Sequence, residues 1–121
     1  MHLEELTLRN FRNWKTAVFH FDPDIHVIYG DNAQGKTNLL EAIYYLSSLK
    51  TFRSVGPREL ITFDESAASI SGRVSGPRGH DDLCVKLTPE SRTLRRNEKT
   101  PDGIEAYLAV FPVIRFIPDD I

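Results

Sequence analysis

"YGDNAQGKTNLLEAIYYL", residues 29–46, decides the fold. Gly30-Asp31-Asn32-Ala33-Gln34-Gly35-Lys36-Thr37 fits the pattern G-x-x-x-x-G-K-[ST] without a gap. Each fixed letter answers a physical need. The two glycines let the backbone turn tightly and bring its N–H groups against phosphate oxygens. A helix opening directly after them adds its unbonded N–H groups and the positive end of its dipole. Lys36 supplies a cation for the outer phosphates of a bound nucleotide, and the Thr37 hydroxyl is placed to ligate magnesium. Four fixed positions recur by accident in roughly one chain of this length in a few hundred. Context narrows that further, because "IHVIYG" (25–30) reads as a buried strand and "TNLLEAIYYL" (37–46) as a helix. The stretch reads as a phosphate cradle rather than an idle strand-to-helix loop.

Upstream, "HLEELTLR" (2–9) alternates as a strand with Leu3, Leu6 and Leu8 as its apolar members. "NFRNWK" (10–15) is a turn, and "TAVFHF" (16–21) a second strand with Ala17, Phe19 and Phe21 on one face. Downstream, Leu39, Leu40, Ile43, Leu46 and Leu49 predict a helix from Lys36 to about Leu49. Pro57 can open a short helix through Leu60 and Ile61. Past residue 67 the style changes: "ASISGRVSG", "DLCVKLTP" and "SRTLRRNEK" are strand-like runs parted by "GPRGHDD" and "PES". That punctuation predicts an antiparallel β-meander over 67–100. "DGIEAYLAV" (102–110) reads as a short helix capped by Asp102, and "VIRFI" (113–117) as a last strand. The expected architecture is α/β: one ATP-binding lobe over 1–121, with a P-loop strand–helix unit and the meander.

Composition excludes several classes. With 40% hydrophobic and 26% charged residues the chain can bury an ordinary core. A net charge of −2 means that any nucleic-acid binding must come from a local patch. Cys84 stands alone, which rules out an internal disulfide or a cysteine metal cage and favours a reducing compartment. No apolar run has membrane-spanning length, and "MHLEELTLRN" lacks the order of a signal peptide, so the expected location is cytoplasmic. The four histidines show no metal-ligand spacing. "VFPVIRFIPDDI" closes the chain on a strand-like run that needs neighbours, which reads as the end of an N-terminal fragment of a longer protein.

The stretch "LRNFRNWKTAVFHFDPDIHVIYGDNAQGKTNLLEAIYYLSSLKTFR" resembles the start of the RecF family of bacterial recombination and repair ATPases. Asn32, Gln34 and Asn38-Leu39-Leu40-Glu41-Ala42-Ile43 match positions that the general phosphate-loop motif leaves free, and "RRNEK" and "FPVIRFIPDDI" continue the likeness. The resemblance implies an ABC-type ATPase head related to SMC proteins. It implies ATP and Mg2+ at Gly30–Thr37 with Asn38, and an ATP-dependent homodimer in which two heads sandwich two nucleotides. It also implies DNA binding at gapped single-strand/double-strand junctions, and RecR, RecO and RecA as partners in loading recombinase. The chain departs from the whole-family pattern by carrying no signature motif, no Walker B strand and no histidine switch. Asp119 and Asp120 follow a proline rather than an apolar strand and are poor candidates for catalytic carboxylates. No catalytic residue is assigned.

Around the cradle, Arg12 and Asn13 sit in a turn that lies near the nucleotide in related heads, so Arg12 either touches phosphate or is a solvated turn residue. Arg53, with Lys50 and Arg58, can form a local basic patch for DNA. Arg92, Arg95, Arg96 and Lys99 flank a hairpin, where they either contact DNA phosphates or blunt an edge strand. Trp14 with Phe11 either stacks on a base or plugs the strand turn, and Cys84 is expected in the core. The competing functions are a DNA-repair ATPase, the nucleotide lobe of another SMC/ABC-type ATPase, and a non-catalytic DNA- or nucleotide-binding module. A small-molecule kinase fits less well, because a meander stands where its lid should follow.

Overall fold

The first strand, β1 (His2–Phe11), buries Leu3, Leu6, Leu8 and Phe11. Strict alternation cannot put all four on one side. A register shift between Leu3 and Glu5 absorbs the first mismatch, and Asn10, left-handed at φ 52°, absorbs the second. β2 (Trp14–His20) pairs antiparallel with β1 as far as Phe11↔Trp14. The turn predicted over 10–15 therefore tightens to Arg12 and Asn13. The computed structural model describes residues 2–21, 33–51, 57–77 and 79–110. The strands expected over 25–30 and 113–117 lie outside them.

The helix α1 (Ala33–Ser48) starts inside the glycine-rich loop, three residues before the apolar pattern begins. Its buried residues among those described are Asn38, Leu39, Glu41, Ala42, Tyr45, Leu46 and Ser47, most of them at the spacing of one helical face. Three of those seven, Asn38, Glu41 and Ser47, are polar. The helix stops at Leu49, which adopts a left-handed φ of 62° and returns its N–H to Tyr45 O at 2.8 Å.

After the single turn α2 (Pro57–Leu60) come three strands, β3 (Ala68–Gly76), β4 (Gly79–Leu87) and β5 (Arg92–Arg96). They complete one five-stranded sheet of order β2-β1-β3-β4-β5, antiparallel throughout. β3 and β4 stay paired up to Gly76↔Gly79, so the loop predicted from "GPRGHDD" is mostly strand. One face carries Leu6, Leu8, Ile70, Val74, Leu83, Val85 and Leu87, and packs into a single core with α1. Gly72 allows the helix this close: a Cβ there would lie 2.5 Å from Leu46 Cδ2 and 3.1 Å from Leu3 Cδ1. Cys84 belongs to the opposite face and is half-buried, with Ser71 Oγ donating to its sulfur at 3.3 Å. It is therefore not the core residue expected, because its neighbours Leu83 and Val85 take the inward positions.

The last helix, α3 (Ile104–Leu108), is capped by Gly103 at φ 144°, with no side-chain hydrogen bond. Asp102 is one residue too early to be the cap. Tyr107 of α3 is buried and donates its hydroxyl to Leu46 O at 2.6 Å, satisfying a carbonyl that the end of α1 leaves unbonded. Burial pushes the Tyr107 phenol well above its usual range, so it remains a neutral donor.

Candidate functional site

Two contacts fasten the β1–β2 turn to the helix that follows the glycine-rich loop. Asn38 Nδ2 donates to Asn13 Oδ1 at 2.8 Å, and Asn38 is buried. Arg12 Nε donates to Glu41 Oε1 at 2.6 Å, the guanidinium side chain being 17% exposed and the carboxylate wholly buried. The turn is braced from its other side as well. Arg12 N–H donates to Leu60 O at 2.8 Å, Thr62 Oγ1 donates to Arg12 O at 2.6 Å, and Thr62 N–H donates to Asn10 O at 2.7 Å. Held this way, Arg12 occupies the left-handed region at φ 48°, a conformation that costs an arginine energy and that the surrounding bonds enforce.

Arg12 is thus not a solvated turn residue. Its Nη2 is buried and has no hydrogen-bond partner among the described residues. Glu41 lies four residues beyond Thr37, about one helical turn or roughly 6 Å along the axis. An unspent, charged donor therefore belongs to the side chain that meets α1 at Glu41, about one helical turn beyond Thr37. The early start of α1, at Ala33 within Gly30–Thr37, also fits a phosphate group, since the first N–H groups of a helix lack internal partners.

The other assignments fall out unevenly. Gly30, Asp31 and Asn32 lie outside the described residues, as do Arg53, Asp119 and Asp120. For Ala33, Gln34, Gly35, Lys36 and Thr37 the helical backbone alone is described. Phe11 is fully buried, and Trp14 packs edge-on against Phe19 with ring centroids 5.4 Å apart, so the two aromatics plug the turn. Arg95 and Arg96 do not share a face. Arg95 is exposed opposite Cys84, whereas Arg96 pairs with the inward Leu83 and donates from Nε to Asp81 Oδ1 at 3.0 Å. Partial burial pushes the Asp81 carboxyl up, but hydrogen bonds from Asn97 and Arg96 outweigh it and hold it below its usual range. Arg92 is spent on α1, its Nη1 lying 3.4 Å from both Tyr45 OH and Leu49 O.

Glu41 is the residue to which sequence reasoning gave no role. A signal was there: an acid on the apolar face of an amphipathic helix is costly unless a cation meets it. Arg12 and Glu41 are 29 positions apart, and only the fold brings them together.

Residues 2–108 match the family described as the RecF/RecN/SMC N terminal domain. Two relatives named "DNA replication and repair protein RecF" align along the whole chain, one from an Exiguobacterium species and one from Latilactobacillus sakei. They are 37% and 38% identical over 121 residues, and in each the alignment takes in 32% of the relative. The chain spans about a third of the length of the curated relatives it matches. Among solved structures it is similar to "the recombination mediator protein RecF-ATPrS in RecFOR pathway". That likeness has a TM-score of 0.87 at 32% identity, over 98% of this chain and 33% of the other. The SMC head domain from Thermotoga maritima is similar in fold, with a TM-score of 0.66 at 19% identity over 83% of this chain and 38% of that one. The fold is that of an ABC/SMC-type P-loop ATPase head.

Proposed function

Because the chain belongs to the RecF/RecN/SMC N-terminal domain family, we propose that it is the ATP-binding lobe of a DNA replication, repair and recombination protein. The observation that carries the reading is the pair of fastenings between the turn and α1. They give a physical use to Asn38 and Glu41, which stand directly behind G-D-N-A-Q-G-K-T and which a bare phosphate loop leaves free. Gly30 and Gly35 shape the loop, and the backbone N–H groups around Asp31, Asn32, Ala33 and Gln34 meet phosphate oxygens. Lys36 would neutralise the outer phosphates, Thr37 would ligate Mg2+ through its hydroxyl, and Arg12 would offer its spare Nη2. ATP supplies the anionic ligand that draws these donors together.

In the whole protein this lobe meets a second copy across bound nucleotide, engages gapped DNA in an ATP-dependent way, and works with RecR and RecO to help load RecA in the cytoplasm. The 121 residues themselves contain no Walker B strand or signature motif, so they are not expected to turn ATP over alone. Lys36→Ala tests the central claim. Binding of a fluorescent ATP analogue should be abolished while the circular dichroism spectrum is kept. Unchanged affinity with an intact spectrum would sink the phosphate assignment.

A further inference from the structure

The sheet has a second face, turned away from α1, and the register fixes what stands on it. One row across all five strands reads Thr16, Arg9, Ser69, Lys86 and Thr93. The next reads Val18, Thr7, Ser71, Cys84 and Arg95. These two rows hold three cations, five hydroxyls and no acid. Arg9, Lys86 and Arg95 are exposed, and none of them makes an ion pair among the described residues. Acids begin only in the third row, where Glu5 faces His20 at 3.6 Å and Asp82 is held by Arg73 at 3.0 Å. Glu98 joins that end of the face, from the turn where Asn97 Oδ1 accepts from Asp82 N–H. The charge is therefore segregated along the strands: free cations at one end, and at the other the acids, of which Asp82 is paired with Arg73.

Shape and spacing select the partner. An open concavity of about 600 Å3 runs over Thr7, Ser71, Cys84, Lys86 and Arg95 towards the acidic end. With strands ~4.8 Å apart, Arg9 and Lys86 stand roughly 10 Å from one another across β3, and Arg95 lies one strand further. Cations so spread do not converge on one phosphate group; they suit a run of phosphates. No aromatic side chain stands in either row, so the face has nothing on which an unpaired base could stack. We propose that this outer face, through Arg9, Lys86 and Arg95 with the hydroxyls between them, docks the phosphate backbone of duplex DNA. The inference rests on the reading of the chain as part of an ATP-dependent DNA-repair protein. It places DNA and nucleotide on opposite sides of one sheet, and it separates Arg95 from its neighbour Arg96, which serves the other face.

The test uses the intact protein with ATP and a labelled duplex, followed by fluorescence anisotropy over a range of salt. Arg9→Gln, Lys86→Gln and Arg95→Gln together should weaken binding to every duplex sequence alike. The slope of log affinity against log salt should flatten by about 0.9 for each phosphate that is no longer neutralised. Affinity for an ATP analogue should not move, because α1, which opens within the glycine-rich motif, packs on the other face of the sheet. Arg96→Gln should leave the slope as it was. A triple variant with wild-type affinity and slope overturns the proposed face, as does an Arg96→Gln variant that alone reproduces the weakening. If the unmutated protein itself shows no salt-sensitive duplex binding with ATP, the broader reading fails along with the face.

Discussion

Replacing Glu41 by Met is the sharpest test of how the site is held. The substitution keeps length and helix propensity but removes the carboxylate that meets Arg12 Nε at 2.6 Å. Removing one partner of a buried pair costs ~3–5 kcal/mol, because the surviving charge is left in a poor dielectric. Arg12 is 17% exposed, so water recovers part of that penalty, and the expected cost is about 3 kcal/mol, the lower end. With an m value of about 1–3 kcal/mol/M, the urea midpoint should fall by roughly 1 to 3 M. Arg12→Met should also be destabilising, since it takes a cation away from a wholly buried carboxylate. The double variant, with both charges gone, should be far more stable than the two single costs added together, with a coupling of at least about 2 kcal/mol. Additive single effects, or a Glu41→Met cost below about 1 kcal/mol, would mean that the pair behaves like an exposed one and does not hold the turn.

Gly72→Ala places a methyl 2.5 Å from Leu46 Cδ2 in a site where both Leu46 and Leu3 are buried, so it should cost ~1–3 kcal/mol by urea titration. A neutral result would show that α1 slides on the sheet. Asp81 sets a pH dependence. Its carboxyl is held below the unfolded value, so its contribution is present above about pH 4 and disappears as pH falls through the folded value. Asp81→Asn should therefore flatten the fall in stability between about pH 6 and about pH 3. An unchanged acid limb would detach Asp81 from that stability.

The helix behind the glycine-rich motif was legible because its signal is local: a G-x-x-x-x-G-K-[ST] run followed at once by apolar residues at helical spacing, and α1 does open at Ala33 within that run. The strands over 67–100 were legible for the same reason, since alternation and turn residues are near-neighbour signals. Three features were not. The inward turn of both Leu3 and Leu6 depends on a register shift that no pattern of period two announces. The partner of Glu41 lies in a different element, so the sequence showed only that a partner was needed. The division of Arg95 from Arg96 requires knowing which residue of β5 faces which side, and a five-residue strand with four exposed positions carries too little contrast to say.

The strand order has a kinetic side. β1 forms a hairpin with β2 across two residues, and β3, β4 and β5 zip through short turns, so both halves of the sheet can assemble from contacts close in sequence. Their union is different: Leu8 pairs with Ile70, which closes everything between β2 and β3 into one loop. The entropy of that closure falls on the β1–β3 seam, and α1 lies inside the loop being closed. As the chain leaves the ribosome, β1 must keep one edge unpaired until residues 68–76 emerge. The helix α1 thus gains its floor only after the chain on both sides has joined, and its packing on the sheet is among the last parts of the lobe to take shape.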